Sequence, residues 1–326
     1  MKGRRIILLM AAILFLAGEL KAETELSGFV DAGYQDGQSE NSSFGIGAFE
    51  IDFASEFSDK ISFEGAVVVE GGAVGLGQTL VDIKLLSEEK LGVKAGLIDI
   101  PFGIDYQVFA TPDRKLVSSP LVTELMMDGG WGDSGINFYG SLSSLNYNIY
   151  IVNGMGNKYE IEGDTTSALV PANQDANNNN AKTIGSRIGI SPAEGIEVGV
   201  SYAHGPYLDD NTKEILSRVG CDVQLGIGQI KVKGEYVKTE EDIPGANANE
   251  HSGYYFQLLG DATEKVYGAV RYGSWKPKGG DEVTRLTLGL GYELEENVSL
   301  RLEYQMNDEK SEVDNNLVSA QIVISF

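Results

Sequence analysis

Apolar and polar residues alternate along most of the chain after residue 22. Residues 319–326, for example, read SAQIVISF and carry an apolar residue at every even position. Successive side chains of an extended strand point to opposite faces, so this pattern predicts a strand with one apolar and one polar face. Similar stretches recur throughout the chain, which predicts an all-β protein.

The number and length of these stretches favour a membrane barrel. Sixteen strands are predicted, at residues 24–35, 44–57, 60–70, 78–87, 90–99, 133–142, 145–153, 182–191, 195–204, 214–225, 228–238, 251–261, 264–274, 281–293, 297–307 and 314–326. They have about nine to fourteen residues, which a tilted strand needs to cross a bilayer and which exceeds the usual length in soluble sheets. The predicted fold is a transmembrane antiparallel up-and-down β-barrel of about 16 strands.

Short and long connections alternate between the predicted strands. The short links, of about two to four residues, lie near residues 58–59, 87–89, 143–144, 191–194, 226–227, 262–263 and 294–296. The intervening links reach 33 residues at 100–132 and 28 residues at 154–181. In such barrels the short turns face the periplasm and the long loops face outward. Both chain termini are therefore predicted on the periplasmic side.

A soluble protein with two stacked sheets would also show alternation. However, nearly every predicted strand is apolar on one face only, whereas stacked sheets would need many more fully buried strands. The apolar faces also carry aromatic residues, several of them at strand ends, as the interfacial girdles of membrane barrels require. These residues are Phe53, Phe57, Tyr147, Tyr202, Tyr236, Tyr254, Tyr272, Tyr292, Tyr304 and Phe326.

The first 22 residues have the layout of a secretory signal peptide. Lys2, Arg4 and Arg5 form a basic start, and residues 6–17 form an apolar core. This core is too short to span a bilayer as a helix. The predicted organisation is therefore a cleaved signal peptide over residues 1–22, followed by one barrel over residues 23–326.

Charge and residue content argue against nucleic acid partners, metal sites and catalysis. Without residues 1–22 the chain has 21 basic and 47 acidic side chains, and a net charge of −26 repels nucleic acid. Cys221 is the single cysteine, and His204 and His251 are the only imidazoles. Residues 132–135 read GDSG, as around a serine-protease nucleophile, but both histidines lie downstream of them. We expect no metal, no cofactor and no enzymatic activity.

Several segments resemble Gram-negative outer-membrane porins. Residues 26–34 read LSGFVDAGY and open the first strand, residues 100–105 read IPFGID and leave the fifth, and the chain ends on Phe326. The terminal Phe is similar to the signal that the barrel-assembly machinery reads in this class, and PFG together with GWGDSG at 130–135 resembles phosphate-selective porins. The resemblance covers the whole chain after residue 22. It implies insertion into the lipid of a Gram-negative-type outer membrane, and a homotrimer.

The connection at residues 100–132 is the candidate obstruction of a channel. A sixteen-stranded barrel is too wide for its own side chains to fill, and a connection of this length is uncommon unless it is functional. Its place after the fifth strand resembles the third extracellular loop that folds into the lumen of general porins. The candidate constriction residues on it are Asp105, Asp113, Arg114, Lys115, Glu124 and Asp128. The alternative of an ordinary outside loop stays open.

Alternate residues of a strand point to opposite faces, which assigns further charged residues to the lumen. If the apolar faces contact lipid, the second and third strands contribute Glu50, Asp52, Glu64 and Glu70. The eighth to fifteenth strands contribute Arg187, Arg218, Lys231, Lys233, Arg271, Arg285 and Arg301. Acidic and basic walls would then face each other across the ring and create a transverse field. Solvated charges at different heights are an equal alternative, and the sign of the preferred ion stays open.

Two functions are compatible with these features. The first is a water-filled channel through which small hydrophilic solutes and ions diffuse passively. The second is a surface-exposed barrel with an occluded lumen, an adhesin or receptor whose acidic loops contact a partner. Only an open pore admits solute, so conductance and liposome swelling distinguish the two.

Overall fold

A computed structural model shows a closed antiparallel barrel of sixteen strands. It describes residues 23–38, 41–86, 90–108, 110–127, 130–157, 169–171, 181–208, 211–243, 247–309 and 315–326. The predicted signal peptide at residues 1–22 lies outside these ranges. No helix within them is both long and apolar enough to cross a membrane.

The barrel strands follow one another around the ring in chain order. The strands of the chain are β1 (Glu23–Gly37), β2 (Ser43–Ser58), β3 (Ile61–Glu70), β4 (Ala73–Leu86), β5 (Leu91–Asp99), β6 (Gly132–Leu142), β7 (Leu145–Val152), β8 (Met155–Asn157), β9 (Leu169–Pro171), β10 (Thr183–Ala193), β11 (Ile196–Leu208), β12 (Asn211–Ile227), β13 (Ile230–Glu241), β14 (Asn249–Asp261), β15 (Val266–Lys276), β16 (Val283–Glu295), β17 (Val298–Glu309) and β18 (Leu317–Ser325). β8 and β9 form a separate pair inside the link from β7 to β10. The connection from β5 to β6 contains helix α1 (Leu121–Met127).

The predicted fold class is confirmed, although two predicted links are shorter than expected. Residues 73–77, predicted as part of a link, extend β4, because Gly71 and Gly72 adopt positive φ (57° and 80°) and form a two-residue turn. β11 likewise continues to Leu208, and β12 begins at Asn211. Not every link at this end of the barrel is therefore long.

The barrel is apolar outside and polar inside. Outward-facing Val200 and Leu302 are 58% and 55% exposed, whereas their inward-facing neighbours Ser201 and Arg301 are buried. Such an apolar outer surface is unfavourable in water and favourable in lipid, where a closed barrel also satisfies every backbone group of the strands. The outer face therefore suits the hydrocarbon layer of a membrane.

Phe326 lies at the seam where β1 meets β18. Its backbone N–H donates to the Gly28 carbonyl and its carbonyl accepts from the Gly28 N–H, both at 3.0 Å. The Phe326 ring stacks on Phe49, with the ring centroids 6.5 Å apart. The C-terminal residue thus completes the ring, which leaves the barrel without an unpaired edge strand.

Candidate functional site

The connection from β5 to β6 folds into the barrel. Its two ends are joined by a 2.8 Å hydrogen bond from the Ile100 N–H to the Trp131 carbonyl. We call residues 100–131 the lumenal loop; besides α1 it contains short 3-10 turns at Asp105–Val108 and Thr111–Asp113. Each strand from β11 to β17 presents an inward-facing side chain that bonds to this loop. The predicted candidate Asp128 lies outside the described residues.

The tip of the lumenal loop reaches the other side of the barrel. Ala110 packs against Phe29 on β1, Ala48 on β2 and Val323 on β18. Ile104 and Asp105, at the start of the first 3-10 turn, are by contrast hydrogen-bonded to side chains of β13 and β14. The loop therefore crosses the lumen and narrows it.

Glycines on the inner wall make room for the loop. A Cβ added at any of four inward-facing glycines would contact an apolar loop side chain, in the pairs Gly220 with Phe102, Gly253 with Val122, Gly273 with Leu121, and Gly289 with Leu116. These four loop side chains are at most 3% exposed. The absent wall side chains thus allow the loop to lie close to the barrel backbone.

We expect Gly253→Leu to destabilise the protein by about 1–3 kcal/mol, as overpacking does. A Cβ at this position would lie 2.8 Å from the Ser274 carbonyl oxygen and 3.0 Å from Val122 Cγ2. Gly260 on the same strand has open space at its Cβ, so Gly260→Leu is the matched control. Denaturant unfolding in detergent measures both variants. Equal stability of the two would contradict tight packing of α1 on β14.

Asp105 accepts hydrogen bonds from three side chains. Its Oδ1 accepts hydrogen bonds from Lys233 Nζ (2.9 Å) and the Tyr255 hydroxyl (2.8 Å), and its Oδ2 accepts from the Thr123 hydroxyl (2.6 Å). Burial by itself raises the pKa of Asp105, but the Lys233 charge and these hydrogen bonds outweigh it and hold the pKa below its usual value. Asp105 is therefore a buried, ionised anchor.

Two anchors beside Asp105 escaped the sequence analysis. The Gly103 N–H donates to Ser201 Oγ (3.0 Å), and the Ile104 N–H donates to Glu235 Oε2 (3.3 Å). A Cβ at Gly103, whose φ is +67°, would overlap the Glu235 carboxylate. Ser201 and Glu235 have the inward parity of the predicted lumen residues. The alternation along the strand therefore predicts that both side chains point into the lumen, but it does not identify the groups that they bind.

Three candidate arginines of the wall hold the backbone of the loop. The contacts are Arg218 to the Met126 carbonyl (2.7 Å), Arg271 to the Ser118 carbonyl (2.9 Å) and Arg301 to the Thr111 carbonyl (2.8 Å). These arginines are at most 4% exposed. They are therefore covered by the loop and do not face the remaining lumen.

Other candidates form ion pairs. Lys233 pairs with Asp105, Arg285 with Glu124 (2.6 Å), and Lys115 with Glu293 (2.9 Å). Arg187 pairs within the wall, with Asp222 (2.6 Å) and Glu197 (2.7 Å). The sequence analysis placed Arg187, Lys233 and Arg285 on one arc of the wall and Lys115 on the connection. The structure gives each of these four cations an acidic partner.

A cavity of about 640 Å³ lies between the loop and the wall, next to the turn that joins β10 and β11. Its lining includes the candidates Asp113, Arg114, Lys115 and Lys231. Arg114 Nε donates to the Val108 carbonyl (3.2 Å), while Lys231 is exposed. Burial raises the pKa of Asp113, and the charges of Arg301 and Lys115 oppose this only in part. The cavity thus carries charges of both signs.

The acidic candidates on β2 and β3 differ from the basic ones in their surroundings. Glu50, Asp52 and Glu64 are partly exposed, and Glu70 is exposed. Within the part of the chain that the structure describes, none of the four has a basic partner within 4.0 Å. Glu50 interacts electrostatically with Asp52 and with Asp99, so like charges are close together here.

The GDSG segment has a structural explanation. Asp133 is buried, and its carboxylate accepts hydrogen bonds from the backbone N–H groups of Ser134 (2.7 Å) and Gly154 (2.6 Å). Across the described ranges, no three His, Cys, Asp or Glu side chains come together as a metal site requires. The expected lack of metal, cofactor and catalysis stays a prediction.

Solved structures similar to this chain are outer-membrane proteins. The anion-selective porin from Comamonas acidovorans superposes with a TM-score of 0.70 at 12% identity, covering 94% of this chain and 100% of that one. Salmonella typhi OmpF, solved with daunomycin, has a TM-score of 0.68 at 11% identity and covers 94% and 98%. OmpT of Vibrio cholerae in its trimer form has a TM-score of 0.64 at 11% identity and covers 94% and 99%. At these identities the similarity shows the fold alone.

Sequence comparison adds the family. A protein of Aquifex aeolicus (strain VF5), described as uncharacterized, is 25% identical over 314 residues, which is 83% of this chain and 71% of that protein. The family model of the Gram-negative porins matches residues 8–312. The resemblance in the sequence is thereby confirmed, and the chain belongs to the Gram-negative porins, channel-forming barrels of the outer membrane.

Proposed function

We propose that the protein is a passive diffusion channel for small hydrophilic solutes and ions. The observation that carries this is the uneven coverage of the inner wall. The loop makes its polar contacts with β11 to β17, whereas Glu50, Asp52 and Glu64 on β2 and β3 remain partly exposed. A lumen sealed by the loop would bury these carboxylates without partners, at a large desolvation cost. Hydrated acidic side chains therefore support a water-filled passage beside the loop.

Apart from Arg187, which pairs within the wall, the predicted pore-lining residues that the structure describes have two roles in this proposal. Arg218, Lys233, Arg271, Arg285 and Arg301 hold the loop together with Asp105 and Glu124. The passage itself is lined by Glu50, Asp52, Glu64, Asp113, Arg114, Lys115 and Lys231. No bond is made or broken during passage, so the flux follows the solute gradient.

Assembly is also part of the proposal. OmpT of Vibrio cholerae has been solved in a trimer form, and a homotrimer in outer-membrane lipid fits the apolar outer face of this barrel. We further propose cleavage of residues 1–22 on export, and recognition of Phe326 by the barrel-assembly machinery. Crosslinking of the protein in outer membranes tests the trimer, and N-terminal sequencing tests the cleavage.

We expect the purified protein to give stepwise, near-ohmic conductance in a planar bilayer. A water-filled passage conducts in proportion to voltage, because ions cross without a chemical step. Liposomes that contain the protein should also swell in small sugars, and protein-free liposomes are the control. Silence in the bilayer together with liposomes that do not swell would contradict a diffusion channel.

A further inference from the structure

The lumenal loop compensates the basic arc of the wall. Lys233 and Arg285 pair with Asp105 and Glu124 of the loop itself. Arg187 is paired within the wall and is 1% exposed. These three cations therefore contribute little positive potential to the remaining lumen.

The buried arginines under the loop have acidic neighbours as well. Arg218 interacts electrostatically with Glu241 and Glu235. Arg271 interacts with Glu303 and also with two carboxylates of the loop. Each of these guanidinium groups is at most 4% exposed and donates to a loop carbonyl. Solutes in the passage therefore meet loop backbone at these positions instead of a free cation.

The acidic wall has less compensation. Glu50, Asp52 and Glu64 keep contact with water and, in the described ranges, lack a basic partner within 4.0 Å, and Glu70 is exposed and interacts electrostatically with Arg114. Lys94 on β5, which β4 separates from β3, lies over the Tyr139 ring, with Nζ 5.8 Å from the ring centroid. Acidic side chains thus predominate on the open side of the lumen.

The remaining cations of the passage are balanced locally. Lys115 pairs with Glu293, and Arg114 interacts with Glu70, Asp105 and Glu124. Lys231 is exposed, and the cavity that it lines also includes Glu194 and the Arg187 partner Glu197. A narrow passage with low-dielectric walls concentrates ions of the opposite charge. On the side of the passage formed by β2 and β3, the unbalanced charge is negative.

We propose that the channel selects cations over anions, and that Glu50, Asp52 and Glu64 determine this selectivity. The inference rests on the proposed function and adds the charge class of the preferred solute. Opposed acidic and basic walls of equal strength would create a transverse field without this preference. Here the loop compensates much of the basic wall, so the acidic wall predominates. Small cations and positively charged hydrophilic solutes are the class favoured.

The reversal potential under a potassium chloride gradient across a planar bilayer tests the proposal. The reversal potential of the wild-type protein should have the sign of a channel that is more permeable to potassium than to chloride. The double variant Glu50→Gln/Asp52→Asn should lower the potassium-to-chloride permeability ratio by about threefold or more, as removal of even a water-screened charge near the ion path gives. The matched control is Asp59→Asn/Glu296→Gln, which removes two acids from short turns and should leave the ratio nearly unchanged.

The outcomes separate the two proposals. Glu64→Gln provides a second test if the double variant fails to fold. Two results would overturn the cation selectivity alone. One is a conducting protein whose reversal potential has the sign for chloride. The other is a potassium-to-chloride permeability ratio that stays unchanged in Glu50→Gln/Asp52→Asn and in Glu64→Gln. A wild-type protein without conductance would overturn the diffusion channel and the selectivity with it.

Discussion

Replacing residues 104–127 with a short Gly–Ser linker is expected to raise the single-channel conductance several-fold. The backbone of Ile100 is already hydrogen-bonded to that of Trp131, so a short linker closes the gap without strain in β5 or β6. A sixteen-stranded barrel without an inserted segment leaves a wide aqueous channel. Conductance rises with the open cross-section, and single-channel recording measures it directly.

The same excision should shift the selectivity toward anions. It removes Asp105 and Glu124, which compensate Lys233 and Arg285. It also removes the carbonyl partners of Arg218, Arg271 and Arg301, whose guanidinium groups would then face water. Water can replace the lost hydrogen bonds, so we expect the barrel to fold. A smaller potassium-to-chloride ratio should therefore accompany the larger conductance.

The control for the excision is the same linker in place of residues 278–281. These residues lie in the connection from β15 to β16, outside the lumenal loop. This replacement should leave both conductance and selectivity unchanged. If excision of residues 104–127 also left the conductance unchanged, the loop would not restrict the passage.

The side of the barrel that each residue faces could be predicted from sequence, because it depends only on local alternation. Arg218 and Tyr236 illustrate this: the alternation placed the first inside and the second on the apolar outer face, and the structure agrees. Gly71 and Gly72 show the limit of the method. These two glycines form a tight turn by adopting positive φ, and alternation alone does not locate such a turn. The predicted start of β4 was therefore five residues too late.

The partners of the lumen charges could not be predicted from sequence. Asp105 and Lys233 are 128 positions apart, and no local pattern links them. Parity indicates that Lys233 faces the lumen, but the path of the loop decides whether it faces solute or a carboxylate. The prediction of two opposed charged walls lacked this information. The packing of Phe102 and Val122 on wall glycines, for example, shows how close the loop lies to the wall.

Arg187→Met is expected to destabilise the protein by about 3–5 kcal/mol, the usual cost of leaving a buried charge without its partner. Arg187 Nη2 lies 2.6 Å from Asp222 Oδ1, and Nε lies 3.2 Å from Oδ2. The Arg187 and Asp222 side chains are 1% and 0% exposed. The hydrogen bonds and ion pairs of Arg187 among the described residues are made with other side chains of the wall, so we expect the effect to arise in the wall. Denaturant unfolding in detergent measures it.

Two matched variants distinguish loss of the pair from a general effect of substitution. Glu197 also pairs with Arg187, at 2.7 Å, but it is 23% exposed, so Glu197→Gln should cost at most about 1 kcal/mol. Arg187→Met/Asp222→Asn removes both buried charges and should recover most of the stability lost in the single variant. If the double variant were no more stable than Arg187→Met, the loss would come from packing of the long Arg187 side chain against the wall. Recovery would instead show that the loss in Arg187→Met comes from the buried Asp222 carboxylate that is left without its partner.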